Sequence, residues 1–204
     1  MTEKPSRDFL MLWATIDPIG TLSLFLGLTA AYSAEKRRRI AVRCITYSAI
    51  ILLATIVAGQ LLLDAMDISL ASFQISGSAI LFLFGLQMIF GSGDSSQDPE
   101  AEGGHDVAVF PLAIPSIASP GAIMAVTLAT DNDQFRIVEQ AATAVTMLIV
   151  LAITGGMLLA AERIHRVIGN NGAAILIRVM GMILAALAVE SLIDGIALAL
   201  ASQS

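Results

Sequence analysis

The sequence predicts an all-α integral membrane protein that crosses the bilayer six times. Of its 204 residues, 56% are hydrophobic and only 14% are charged, whereas soluble domains carry about 25% charged residues. Six apolar windows are each long enough to cross the hydrocarbon core, which takes roughly 20 residues of helix. The formal net charge of −6 provides no basic footprint for nucleic acid. These observations argue against a soluble enzyme, a nucleic-acid-binding protein and a disordered chain.

The six windows follow one another along a single membrane domain, 1–204, and leave no room for a soluble domain. Four windows contain no charged residue, whereas the first contains Asp17 and the sixth contains Arg178, Glu190 and Asp194. The longest connection, 91–106, is rich in glycine, serine and acidic residues, which is typical of a solvated tether. The windows comprise residues 9–32, 44–63, 68–90, 107–130, 140–161 and 173–200.

The distribution of lysine and arginine predicts the orientation of the spans, because cytoplasmic loops carry an excess of these residues. Eight of the eleven basic residues belong to the first and fifth loops and their edges, at 36–39, 43, 163, 166 and 178. Only Lys4, Arg7 and Arg136 belong to the opposite side. We therefore expect the first, third and fifth loops in the cytoplasm and both termini outside it. The expected location is the plasma or inner membrane of the cell, with the lipid bilayer as its surroundings.

The two halves of the chain, about 9–90 and about 107–200, resemble each other at three places in the same order. Asp17-Pro18 matches Ser119-Pro120 at an offset of 102 residues. Each half contains three spans, an odd number, so the second half is expected to lie inverted relative to the first. Inverted repeats are an architecture of secondary transporters, whose sites lie at the repeat interface near the midplane. The other two matches pair Gly77 and Gly91 with Gly181 and Gly195, and Arg39, Ile40 and Gly59 with Arg136, Ile137 and Gly156.

Proline and glycine interrupt the first and fourth spans near their middles. The first interruption reads Asp17-Pro-Ile-Gly20, and the second reads Ser119-Pro-Gly121. Proline lacks an amide donor and disfavours helix in the residue before it. Aspartate and serine are helix-capping residues, and proline suits the first position of a new helix. We therefore predict that helices 1 and 4 are broken near mid-membrane, with the freed backbone groups facing protein or a water-filled cavity.

The residues around both interruptions resemble the signatures of the MarC family of membrane proteins, and the six spans extend this resemblance over essentially the whole chain. The resemblance implies transport of small neutral amino acids such as glycine and alanine, with proton-coupled import in some members and export in others. The chain departs from the family pattern at Thr21 and Ser119, where members commonly have asparagine and glycine. The matching segments are Asp17-Pro-Ile-Gly20, Phe25-Leu26, Leu28-Thr29 and Arg38-Arg39, and then Pro111-Leu-Ala-Ile-Pro115 through Ser119-Pro-Gly-Ala-Ile123.

A zwitterionic amino acid needs one partner for its carboxylate and another for its ammonium group. Helix N-termini present unpaired N–H groups and a partial positive charge, which suit the carboxylate. The segments that begin near Gly20 and Gly121 are expected to supply these groups, and Asp17 is the first candidate for the ammonium. The predicted substrate-binding residues are Asp17, Pro18, Gly20, Thr21, Ser23, Ser116, Ser119, Pro120 and Gly121.

Two carboxylates within the spans are candidates for binding a proton during transport, because charged groups in a membrane are costly and usually functional. Asp17 and Glu190 lie at similar predicted depths on the same side of the midplane. Other interpretations stay open, since Asp17 is also a good helix cap and Glu190 can hydrogen-bond to a neighbouring helix.

The sequence contains no motif for a cofactor, a metal site or a catalytic constellation, so no enzyme activity is expected. The expected partners are a small zwitterionic substrate and a proton or other coupling ion. Small-residue helix faces are compatible with a homo-oligomer. Two other functions remain open from the sequence: a channel or facilitator for another small solute, and a non-transporting membrane subunit.

Overall fold

The computed structural model describes residues 3–90 and 106–201, which form eight helical segments and no strand. Most of the predicted tether, including Gly91 of the proposed repeat, lies outside the described residues. The segments are α1 (Glu3–Ile16), α2 (Pro18–Thr29), α3 (Ala34–Ala65), α4 (Leu70–Phe90), a π-helix (Ala108–Ile117), α5 (Pro120–Ala129), α6 (Ile137–Leu159) and α7 (Ala161–Ala201).

Five stretches of helix are long and apolar enough to cross a membrane. The π-helix and α5 meet the same criterion as a pair, and they bend by 53° at their junction. The described residues therefore form an all-helical membrane protein with five candidate spans, or six with the bent pair as one span. The five stretches are Lys4–Thr29, Ala34–Ala65, Leu70–Phe90, Ile137–Leu159 and Ala174–Ala201.

The basic residues 36–39 belong to the first turns of α3 and not to a loop, which corrects the prediction from the sequence. Helix α3 begins early because the Ser33 hydroxyl accepts a hydrogen bond from the Lys36 amide and caps the helix. With 32 residues, the helix is about 48 Å long at about 1.5 Å per residue. It therefore extends well beyond a hydrocarbon core of about 30 Å, and its charged first turns can reach the membrane surface.

Helix α7 contains one break in its dihedral angles, at Gly169. The φ of this residue is +66°, a value that glycine adopts without steric cost. The candidate span of α7 begins beyond this break, at Ala174. The arginines at 163 and 166, assigned to a loop from the sequence, lie in the helix before the break.

The apolar core consists of two clusters of buried side chains. The larger cluster joins α1, α2, α3, the π-helix, α5 and α6, with Phe25, Leu112 and Met147 among its fully buried members. The smaller cluster joins α4 and α7 to α5 through Leu81, Met124, Leu184 and Ala188. The molecule is thus a tightly packed centre of four predicted spans, with α4 and α7 packed against each other beside it.

Helices α4 and α7 approach closely because small residues line their contact. A Cβ atom on Gly85 would lie 2.9 Å from the carbonyl oxygen of Gly181. The Gln74 side chain crosses the same contact and donates from Nε2 to the Ser191 carbonyl at 3.0 Å. Elsewhere, α3 packs on the π-helix, and α6 packs on α1. Helix α4 also packs on α5, and α7 also packs on α2.

Candidate functional site

The junction of α1 and α2 is a single residue, Asp17, in a left-handed backbone conformation with φ 48° and ψ 70°. Aspartate adopts this conformation more readily than most residues because its short side chain hydrogen-bonds locally. Its Oδ1 accepts a hydrogen bond from the Gly20 amide at 3.0 Å and caps α2. A Cβ atom on Gly20 would lie only 2.0 Å from Oδ2 of Asp17. The glycine therefore allows the carboxylate to fold over the start of α2.

The junction of the π-helix and α5 uses the same type of cap. Ser119 has an extended backbone, and its Oγ accepts a hydrogen bond from the Ala122 amide at 3.0 Å. Pro120 is the first residue of α5, a position where the missing amide hydrogen costs nothing. The π-helix itself has extended dihedral angles at Phe110 and Ile114. Each of these residues directly precedes a proline, which disfavours the helical region for its neighbour.

The two junctions lie against each other and are joined by hydrogen bonds. The hydroxyl oxygens of Thr21 and Ser116 are 2.9 Å apart. Ser119 also donates from Oγ to the Thr15 carbonyl at 3.0 Å. Asp17 is 2% exposed and Thr21 is 1% exposed. Because buried polar groups are costly without partners, these bonds stabilise the contact between two segments that are about 100 residues apart in sequence.

The side-chain caps leave few amides free at these helix starts. The amides of Gly20 and Ala122 already donate to Asp17 and Ser119. The Gly121 amide makes no hydrogen bond to any residue that the structure describes. The start of α5 thus retains an unpaired donor beside a partial positive charge.

A cavity of about 480 Å³ lies between α4 and the start of α5. Gly121 lines this cavity, together with apolar side chains and two polar ones, the Ser119 hydroxyl and the Gln87 amide. A mostly apolar cavity with a few polar groups is the usual form of a small-molecule site. The other lining residues are Ile80, Leu81, Leu83, Phe84, Pro115 and Pro120.

The remaining predicted residues lie apart from this hydrogen-bonded contact. Ser23 is half-buried on α2, and its hydroxyl makes no hydrogen bond within residues 3–90 and 106–201. Glu190 is exposed on α7. Neither a hydrogen bond nor an ion pair joins Glu190 to Asp17 or to another described residue. The structure thus brings the residues of the two junctions together and leaves Glu190 outside that group.

The structure also contains a polar cluster near the start of α1 that was not predicted from the sequence. The ammonium of Lys4 donates to Asp8 Oδ2 at 3.1 Å, to the Ala129 carbonyl at 3.1 Å and to Thr143 Oγ1 at 2.8 Å. Thr143 in turn donates to Asp8 at 2.6 Å, and the ammonium lies 4.0 Å from the ring centre of Phe135. The only sequence signal was the i, i+4 spacing of Lys4 and Asp8. This cluster joins the start of α1 to the end of α5 and the start of α6.

Metal-ligating side chains are not grouped in the described part of the chain. Among these residues, no three or more His, Cys, Asp or Glu side chains lie close enough together to hold a metal ion.

Comparison with known proteins gives matches along nearly the whole chain. Residues 5–200 match the family described as MarC family integral membrane protein. A UPF0056 membrane protein of Methanocaldococcus jannaschii is 34% identical over 197 residues, which cover 92% of this chain and 93% of the relative. A UPF0056 membrane protein of Archaeoglobus fulgidus is 34% identical over 200 residues, which cover 96% of this chain and 93% of the relative.

A bacterial relative is similar over much the same region. The UPF0056 inner membrane protein MarC of Escherichia coli is 31% identical over 194 residues, which cover 88% of each chain. No solved structure matches the chain. Together with its apolar helices, these matches show that the chain belongs to the MarC family of integral membrane proteins.

Proposed function

We propose that this protein is a secondary transporter of small neutral amino acids that works by alternating access around the helix starts at Pro18 and Pro120. The observation that carries the proposal is the contact between two side-chain-capped helix N-termini beside a cavity of about 480 Å³. Secondary transporters hold anionic substrate groups at the N-termini of discontinuous helices near the midplane. The carboxylate of an amino acid is such a group.

The proposal includes an inverted repeat with helices 1 and 4 broken near mid-membrane. The caps support it, because Asp17 bonds the Gly20 amide as Ser119 bonds the Ala122 amide, 102 residues later in each case. The packing supports it too, since exchanging the two halves converts the most extensive helix contacts into others that exist. The contact of α3 with the π-helix corresponds to the contact of α6 with α1. In the same way, the contact of α4 with α5 corresponds to the contact of α7 with α2. A twofold axis in the membrane plane, which relates such repeats, would bring both helix starts to similar depths.

The chemistry at the two helix starts fits a small zwitterion. The unpaired Gly121 amide and the one hydroxyl proton that the Thr21–Ser116 hydrogen bond does not use are donors for the carboxylate. The Ser119 hydroxyl lines the cavity, but its proton already bonds the Thr15 carbonyl. The Asp17 carboxylate is the partner for the ammonium. A Cβ atom on Gly121 would lie 2.4 Å from Cδ1 of Leu81, so the space beside this glycine is narrow. The cavity of about 480 Å³ has room for larger side chains, so the proposed preference for glycine and alanine rests on this narrow space and on the family resemblance.

Proton coupling and membrane orientation complete the proposal. Asp17 is a buried carboxylate inside a candidate span, the kind of group that couples proton movement to transport. Glu190 is the second candidate for this role. The first turns of α3 and α7 carry several arginines. This charge supports a cytoplasmic position for that end of the molecule and a position outside the cytoplasm for both termini. The name of the Escherichia coli relative, an inner membrane protein, supports the same membrane for this chain.

The decisive experiment is counterflow of radiolabelled glycine and alanine into proteoliposomes preloaded with unlabelled amino acid. A carrier gives saturable uptake that the internal amino acid stimulates, whereas a channel or facilitator gives uptake without this stimulation. Wild-type protein that is folded and inserted but shows no counterflow of either amino acid would contradict the proposal.

Two threonine variants connect the activity to the site. Thr21→Val keeps the side-chain shape but removes the hydroxyl that contacts Ser116. Thr46→Val removes a hydroxyl on the exposed surface of α3, where it bonds only the Val42 carbonyl of its own helix. We expect Thr21→Val to lower counterflow about tenfold, since one buried hydrogen bond contributes about 1–1.5 kcal/mol. Thr46→Val should retain wild-type counterflow, and an equal loss in both variants would argue against the assigned site.

A further inference from the structure

A second cavity lies at the arginine-rich end of the molecule, where α6 ends and α7 begins. Its volume is about 660 Å³, and it is bounded by the start of α3 and the end of α6. Three arginines line it, Arg37, Arg38 and Arg163, against a single acidic residue, Glu162. The cavity is therefore a concave surface with an excess of positive charge.

Two of these arginines are available to a ligand. Glu162 forms an ion pair with Arg37 and lies 3.9 Å from Arg166. Neither Arg38 nor Arg163 has an acidic partner among residues 3–90 and 106–201. Their guanidinium groups present several donors in a planar fork, which matches the oxygens of a phosphate group.

The same cavity has an apolar side that faces outward. Leu159 is the last residue of α6, lines the cavity and is 55% exposed. Gly156 lies one turn earlier on the same cavity, and a Cβ atom there would meet no other atom within 4 Å. Positive charge at the end of the spans thus adjoins open apolar surface on α6. A phospholipid has the matching order of groups, a phosphate at the membrane surface followed by acyl chains.

We propose that this cavity binds the phosphate headgroup of an anionic phospholipid, with Arg38 and Arg163 contacting the phosphate and Leu159 contacting the first part of an acyl chain. Basic pockets between membrane helices on the cytoplasmic side are suited to anionic headgroups. The site is separate from the two helix starts and does not depend on which solute, if any, the protein transports.

The test is thermal unfolding of the purified full-length protein in detergent with added phosphatidylglycerol, phosphatidylcholine of the same acyl chains, or inorganic phosphate. Phosphatidylglycerol should raise the unfolding temperature with a saturable dependence, and the other two should not. An equal effect of phosphatidylcholine would show that the site does not select an anionic headgroup. A full effect of inorganic phosphate would assign the cavity to free phosphate and overturn the lipid assignment.

A pair of double variants separates the cavity from general surface charge. R38A/R163A removes the two arginines proposed to contact the phosphate. R39A/R43A removes the same amount of charge from α3, but neither residue lines the cavity, and neither do their ion-pair partners, Glu35 and Asp106. At about 1 kcal/mol per arginine near an anionic surface, R38A/R163A should weaken phosphatidylglycerol binding roughly thirtyfold. The same weakening in R39A/R43A would overturn the proposal.

A third variant tests the shape of the cavity without changing its charge. Gly156→Leu adds a side chain at a position that lines the cavity, where a Cβ atom would meet no other atom within 4 Å. An unchanged unfolding temperature without added lipid is the control for normal folding. We expect this variant to weaken phosphatidylglycerol binding while leaving all arginines in place. Wild-type binding by Gly156→Leu would show that the lipid does not occupy this cavity, whatever the behaviour of the arginine variants.

Discussion

The contact between Gly121 and Leu81 provides a quantitative test of the packing beside the candidate site. A Cβ atom added at Gly121 would lie 2.4 Å from Leu81 Cδ1 and 3.2 Å from Leu81 Cγ. Carbon atoms in ordinary contact are about 3.5–4.0 Å apart, so the first distance is short by more than about 1 Å. Leu81 is 1% exposed, so the short contact is relieved only if its side chain turns toward the cavity that it lines.

Gly121→Ala is therefore expected to destabilise the protein by about 1–3 kcal/mol, the usual cost of overpacking. Leu81→Ala alone should also destabilise it, since it removes a buried side chain and leaves a void. In the double variant the alanine methyl group meets no leucine and partly fills that void. The two changes should therefore cost about 1–3 kcal/mol less together than the sum of their separate costs.

The measurement is equilibrium unfolding in mixed micelles, followed by circular dichroism, for the wild type, both single variants and the double variant. A control cycle pairs Leu81→Ala with Gly156→Ala, because a Cβ atom at Gly156 contacts nothing. That pair should be additive within about 0.5 kcal/mol. Additivity of the Gly121 and Leu81 changes would refute the close contact and the narrow space inferred from it.

Three further predictions concern single residues. Lys4→Met removes the ammonium group that donates to three oxygen atoms. It should lower the free energy of unfolding by about 1–3 kcal/mol. An unchanged unfolding midpoint would show that the cluster adds no stability. Gly20→Ala should reduce counterflow about tenfold. The added Cβ atom would lie 2.0 Å from a carboxylate oxygen of Asp17 and would displace the carboxylate from the start of α2. Gly27→Ala on the same helix has open space and should keep wild-type counterflow, so equal losses would contradict this explanation. Asp17→Asn and Glu190→Gln should reduce proton-driven accumulation of amino acid while exchange persists, and undiminished accumulation in both variants would remove these residues from the coupling role.

The sequence alone was sufficient for the broad fold class, an all-helical membrane protein, and for the local chemistry of the helix starts. Long apolar windows can satisfy their backbone polar groups within a membrane only as helices or closed barrels, and the lengths of these windows fit helices. The capping role of Asp17 and Ser119 is also local, since it depends on a side chain and an amide three residues apart. Such interactions require no knowledge of the tertiary structure.

The tertiary structure decided which residues meet and which faces are buried. The hydrogen bond between Thr21 and Ser116 joins residues far apart in sequence, and Lys4 meets Thr143 only because α1 packs on α6. Hydropathy does not predict these contacts, because lipid-facing and core-facing side chains of a membrane helix are equally apolar. For the same reason the sequence paired Glu190 with Asp17 by depth alone, whereas the structure puts Glu190 on the exposed side of α7. The direction in which a membrane helix faces is set by small residues and polar partners on neighbouring helices, and these become adjacent only when the helices pack.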